Sequence, residues 1–208
     1  MNQTIRTNPK TLLEDLTKKV YELVLEAKTD YRFKKFVVSI LRRNNALRED
    51  TKTKAQILLS WFQKNIRPYY VPDGFRVENV KSPILMLIEY QRGDTPYGDC
   101  DDFVVFYASM LESIGIPTTV AYVSYSPHKE AGQNSNTPNH IVVLFKDTKT
   151  NDVYLADPTS NLPVMSVYDY HTKVAKVVVV VERILPSGEV VKFEWSKFRK
   201  SKKPNFNS

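Results

Sequence analysis

The sequence predicts an α+β protein, with helices gathered in the first half and strands in the second. Three observations carry that expectation. Up to Ile114, apolar residues recur at three- and four-residue steps, the spacing of one helix face. Beyond Pro117 the pattern changes to runs rich in Val, Thr and Tyr, which favour strands. Glycine- and proline-bearing turns punctuate the chain between these runs.

The elements follow in order. Leu12, Leu13, Leu16, Val20, Leu23 and Val24 form the stripe of a first helix. A second is expected at about 31–43, with Phe33, Phe36, Val37, Ile40 and Leu41 on its apolar face. Asp50 and Thr51 can cap a third, which runs to about Ile66 and turns Ala55, Leu58, Leu59, Phe62 and Ile66 inward. Arg67-Pro68 ends it, because a residue before proline is biased out of the helical region. Residues 72–83 read as loop or short strand, and 83–90 as a helix. The turn Gly93 to Gly98 (GDTPYG) leads into a helix of about four turns that begins at Cys100 and stops at Gly115, with Pro117 just beyond. Strands are expected at 118–125, 140–145 and 153–157, with a polar loop at 126–139. A further hairpin is expected from 173–184 and 189–195. Three divisions result: an N-terminal helical extension (1–50), a core (51–195) and a basic tail (196–208).

Composition narrows the function classes. With 208 residues and 42% hydrophobic content the chain can bury a substantial core. Apolar stretches such as 177–181 are far too short to cross a bilayer. Residues 1–10 are polar and lack the apolar segment of a secretory signal. The expectation is a soluble protein without a membrane role, cytoplasmic or virion-associated. The single cysteine rules out an internal disulfide and a thiolate metal cluster. His128, His140 and His171 show no metal-ligand spacing, so no metal and no cofactor is expected. Net charge is +7, and part of the excess lies in Lys197, Arg199, Lys200, Lys202 and Lys203. Short basic runs on termini are usually solvated, and no nucleic-acid-binding motif accompanies this one, so nucleic acid is the disfavoured partner.

The chemistry centres on Cys100. A free thiol has a pKa of about 8.5, so a nucleophilic cysteine needs help near neutral pH. A helix start supplies unpaired N–H groups and the positive end of the dipole. An imidazole can hold the proton, and a carboxylate on its far nitrogen fixes its tautomer. Each part is present: Cys100 opens a helix, His140 opens a strand and Asp157 closes the next. In an antiparallel pair the start of one strand lies beside the end of the other, so His140 and Asp157 can be neighbours. Against activation, Asp99, Asp101 and Asp102 crowd the thiol with negative charge; helix capping is their expected role. The competing reading makes Cys100 a small buried hydrophobe and Asp157 a turn starter before Pro158-Thr159.

Four pieces in order resemble the transglutaminase-like superfamily: Gly98-Asp99-Cys100-Asp101-Asp102-Phe103, Leu111 to Pro117 (LESIGIP), Asn139-His140, and Tyr154-Leu155-Ala156-Asp157-Pro158-Thr159. The resemblance covers about 55–159. It implies a papain-like core in which a helix bearing the nucleophile packs on an antiparallel sheet. It also implies Cys100 as nucleophile, His140 as base and Asp157 as the orienting carboxylate. Where the family commonly has an aromatic residue two after the histidine, this chain has Val142. For the oxyanion, Gln91 is the side-chain candidate and the Cys100 N–H the backbone one; Tyr97 is a candidate to line the cleft.

Two functions of different classes follow. One is a thiol enzyme that cleaves or exchanges an amide bond of a peptide or protein substrate through a thioester. The other is a catalytically silent scaffold of the same fold, serving a larger assembly such as a phage particle. The sequence leaves the oligomeric state open.

Overall fold

The computed structural model describes residues 3–5, 12–71, 78–124, 140–147, 149–174, 177–184 and 190–194. The expected loop 126–139, His128 and the basic tail lie outside the described residues.

Three helices open the described chain: α1 (Leu12–Thr29), α2 (Tyr31–Arg43) and α3 (Thr51–Asn65). Each later start is set by an aspartate. Asp30 accepts the N–H groups of Arg32 and Phe33 at 2.7 and 3.0 Å, and Asp50 accepts that of Thr53 at 2.8 Å. A 3-10 turn, Arg67–Tyr69, follows α3 where proline forbids its continuation. Next come α4 (Pro83–Arg92) and α5 (Cys100–Ser113). Gly93 and Gly115, both at φ +81°, lie just past these two helices in the left-handed conformation that glycine adopts without penalty.

The strands are β1 (Gln3–Ile5), β2 (Glu78–Val80), β3 (Thr118–Ser124), β4 (His140–Lys146), β5 (Val153–Ala156), β6 (Met165–Ser166), β7 (Val177–Ile184) and β8 (Val190–Glu194). A six-stranded sheet runs β6-β5-β4-β3-β7-β8, antiparallel throughout. β1 and β2 form a separate antiparallel pair. A sixth helix, α6 (Val167–Lys173), precedes β7.

The architecture is α+β, as the order of periodicities predicts. Three details differ from expectation. Residues 3–5 form a strand because β2 supplies hydrogen-bonding partners from far along the chain. β7 begins at Val177, not at 173, and His171 lies within α6 rather than between loop and strand. β6 was not expected either.

Burial explains the layering. In α5 every residue from 101 to 111 is buried, so this helix is covered on all sides. It contacts α1, α2, α3, α4, β3 and β4. On β3 and β4 alternate residues face opposite cores: Val120, Tyr122, Ile141, Val143 and Phe145 join the helices around α5, while Ala121, Val123, Val142 and Leu144 pack with Val167 and Tyr170 of α6. Burial on both faces is why these strands read as unbroken apolar runs. Leu16, Val20, Phe33 and Val37 belong to the same cluster as Phe103 and Phe106, so α1 and α2 are built into the core that carries α5. A buried hydrogen bond of 2.8 Å between the Thr17 and Tyr122 hydroxyls ties α1 to β3.

Candidate functional site

Cys100 is the first residue of α5 and is partly buried. The chain enters this helix under tight constraint. The Asp102 carboxylate reaches back to the Asp99 N–H at 3.1 Å, and its other oxygen accepts the Lys81 N–H. Asp101 accepts the Asp102 N–H at 2.9 Å. A Cβ added to Gly98 would stand 2.7 Å from Asp102 Cβ and Oδ2, so only glycine fits beside this cap. The three aspartates therefore organise the helix start, as their capping role requires. Oxygens of Asp99, Asp101 and Asp102 lie within 4.8 Å of one another, the one acidic group of that kind among the described residues. Both Asp102 oxygens already accept backbone N–H groups.

Lys81 braces the loop before Cys100. Its buried ammonium pairs with Glu89 at 2.7 Å, donates to the Tyr97 carbonyl at 3.2 Å and sits 4.1 Å from the centre of the Tyr97 ring. Tyr97 itself is half exposed beside Gly98. Gln91 lies exposed near the end of α4, and its side chain makes no hydrogen bond to the described residues.

His140 and Asp157 do meet. Asp157 is buried, and its Oδ1 lies 3.1 Å from His140 Nε2. The antiparallel register of β4 and β5, with Val143 opposite Ala156, brings the first residue of one strand beside the residue that follows the other. Asp157 Oδ1 also accepts the Thr159 N–H at 3.0 Å and the Thr159 hydroxyl at 2.6 Å. Asp157 is thus both a turn starter and the partner of the histidine. The Thr159 oxygen is 3.2 Å from His140 Nε2. Since the threonine hydrogen points to the carboxylate, Nε2 carries the hydrogen of the neutral ring, shared between Asp157 and Thr159. Nδ1 is then the basic nitrogen.

α3 holds this turn in place. Gln63 Nε2 donates to the carbonyls of Ser160 and Leu162, both at 2.9 Å, and Gln56 accepts the Val164 N–H at 2.7 Å.

Tyr70 is the residue that sequence reasoning missed. It pairs with Gly98 in a parallel bridge, and its ring packs edge-on against Phe103 at 5.7 Å. Burial, then the negative charges of Cys100, Asp99, Asp101 and Asp157, push its pKa up to about 12. One phenol thus feels both the thiol of α5 and the carboxylate after β5. The only sequence signal is an aromatic pair, Tyr69-Tyr70, left exposed after a helix end.

The fold has a solved counterpart. The chain is similar to a crystal structure from Parabacteroides distasonis described as a putative protease, with a TM-score of 0.52 and 17% identity. The match covers 90% of this chain and 32% of that one, so the chain spans about a third of that protein's length. No family model matches the sequence, and no curated protein does. Among the described residues, no helix is long and apolar enough to cross a membrane.

Proposed function

We propose that the protein is a thiol-dependent acyl-transfer enzyme of transglutaminase-like, papain-like architecture, in which Cys100, His140 and Asp157 act together on an amide bond of a peptide or protein. The observation that carries this reading is the 3.1 Å contact between His140 Nε2 and buried Asp157, formed at the edge of the strand against which α5 packs. His140 Nδ1 takes the thiol proton, and the N–H groups of the first turn of α5 favour the thiolate. The thiolate attacks the carbonyl carbon, the imidazolium protonates the departing amine, and a thioester remains. Water then completes hydrolysis, or a second amine completes transamidation. The likeness to a protein described as a protease supports the hydrolytic branch.

Alkylation by iodoacetamide across pH tests the pair. The wild-type thiol is expected to react at about pH 6 at least about tenfold faster than the thiol of His140→Ala, whose rate should follow an ordinary cysteine with a pKa of about 8.5. Equal rates at every pH would dissolve the Cys100–His140 partnership.

A second reading is favoured by one observation: Asp99, Asp101 and Asp102 are all buried around Cys100, and their charges oppose a thiolate. Under it the fold is a catalytically silent scaffold. Retention of biological activity in Cys100→Ser would decide for the scaffold.

A further inference from the structure

We propose that the Tyr70 hydroxyl is a catalytic hydrogen-bond donor that stabilises the oxyanion formed when Cys100 attacks a carbonyl. The inference rests on the reading of Cys100 as the nucleophile and adds a side-chain donor to the backbone N–H of that residue.

The backbone places Tyr70 beside the nucleophile. Val71 N–H donates to the Gly98 carbonyl at 2.8 Å, and Gly98 N–H donates to the Tyr69 carbonyl at 3.3 Å. The Tyr69-Tyr70-Val71 segment is therefore stitched to the residues that lead into α5. Tyr70 caps the 3-10 turn in an extended conformation, φ −65° and ψ 123°. Its ring rests on Phe103, which stands one turn after Cys100 on the same helix. Phe103 is fixed in turn by Phe62 of α3 at 5.2 Å. A ring seated this way is positioned before substrate arrives, which an oxyanion donor requires.

Its chemistry fits the role. Tyr70 is 45% exposed, so the ring fronts a surface that an acyl group can reach. Asp99 just before α5, Cys100 and Asp101 on it, and Asp157 after β5 are the anionic groups that act on it, and none of them favours loss of the phenolic proton. The hydroxyl stays a donor across the whole range in which a cysteine enzyme works. In the step itself the Cys100 sulfur pair forms a C–S bond, and the carbonyl π pair moves to oxygen. Tyr70 donates a hydrogen bond to that oxygen and keeps its proton. On collapse the C=O bond re-forms, the C–N bond breaks, and the amine leaves with the proton held by His140.

Two reactions of one thiol separate this role from any other. Acylation by p-nitrophenyl acetate passes through an oxyanion and releases nitrophenolate. Alkylation by iodoacetamide displaces iodide from a saturated carbon and forms none. In Tyr70→Phe the rate of acylation is expected to fall by at least about tenfold, since loss of one oxyanion donor costs about 10²- to 10³-fold on natural substrates. Alkylation should stay within about twofold of wild type, which also reports that the site is folded. Equal falls in both rates would mean that Tyr70 acts on the thiol or on packing, and would overturn the proposal. So would unchanged rates in both. Cys100→Ser distinguishes failure of the underlying reading: nitrophenolate release at the wild-type rate in that variant would remove the nucleophile itself, whereas a dead Cys100→Ser beside an unimpaired Tyr70→Phe removes only the donor.

Discussion

Thr159 turns the His140–Asp157 contact into a directional one. Its hydroxyl hydrogen goes to Asp157 at 2.6 Å, so its oxygen can only accept from His140 Nε2. The carboxylate contributes charge and orientation, and the threonine contributes orientation alone. Asp157→Ala is therefore expected to slow acylation of Cys100 by about 10²- to 10⁴-fold, in the manner of a lost triad carboxylate. Thr159→Val should slow it by about tenfold or less, and both are read from the nitrophenolate burst. A larger loss in Thr159→Val than in Asp157→Ala would invert this assignment. At this scale the sequence showed residue types and their order. Cys100, His140 and Asp157 stand out because strand and helix boundaries mark their positions. Tyr70 does not, since its place beside Cys100 depends on a bridge between segments almost thirty residues apart. Gln63, which clamps the turn after Asp157, was hidden for the same reason.

The start of α5 is the element on which the site depends. It is held by a hydrogen-bonded cap as well as by apolar packing: Asp102 binds the backbone of Asp99 and of Lys81, and Gly98 leaves room for it. A methyl group at residue 98 collides with Asp102, and the colliding partner is short and doubly hydrogen-bonded. Gly98→Ala should cost about 1–3 kcal/mol, the usual range for overpacking, measured by urea unfolding. It should also lower Cys100 alkylation at about pH 6, because the first turn loses its alignment. Unchanged stability together with unchanged labelling would show that the cap gives way freely. The start of α3 and the end of α5 were legible from Asp50 and Gly115, local signals that act through the backbone next to them, whereas the Asp30 cap of α2 emerged only in the structure. α6 was not legible: seven residues give too little periodicity, and the helix exists because Val167 and Tyr170 dock on the sheet.

Across the whole molecule, two aromatic clusters among the described residues join the helices around α5. Phe62 stands within 5.2 Å of Phe103 and 5.6 Å of Phe106, and Phe33 of α2 lies 5.3 Å from Phe106. Phe36, Trp61 and Tyr90 link α2, α3 and α4 edge to face. Phe62 is fully buried at the centre, so Phe62→Ala is expected to cost about 3–5 kcal/mol in chemical unfolding. A loss below about 1 kcal/mol would mean that the core collapses around the vacated space. The cores themselves were legible, since Leu58, Leu59, Phe62, Phe103 and Phe106 follow from helical spacing. Strand order was not. Nothing local places β7 against β3, or β1 against β2, because pairing depends on hydrogen bonds between segments distant in the chain.

The sequence by itself determined the α+β class, most helix boundaries, the capped helix start at Cys100 and the neighbouring strands of which one opens with His140 and the other leads into Asp157. These follow from short-range physics: periodicity, capping and antiparallel adjacency act within a few residues or one hairpin. Only the tertiary structure decided that α5 is buried from all sides, that Lys81 and Gln63 brace the loops around the site, and that Tyr70 lies over the first turn of the helix. Such contacts join segments that the chain keeps far apart, and they arise when apolar burial brings those segments together.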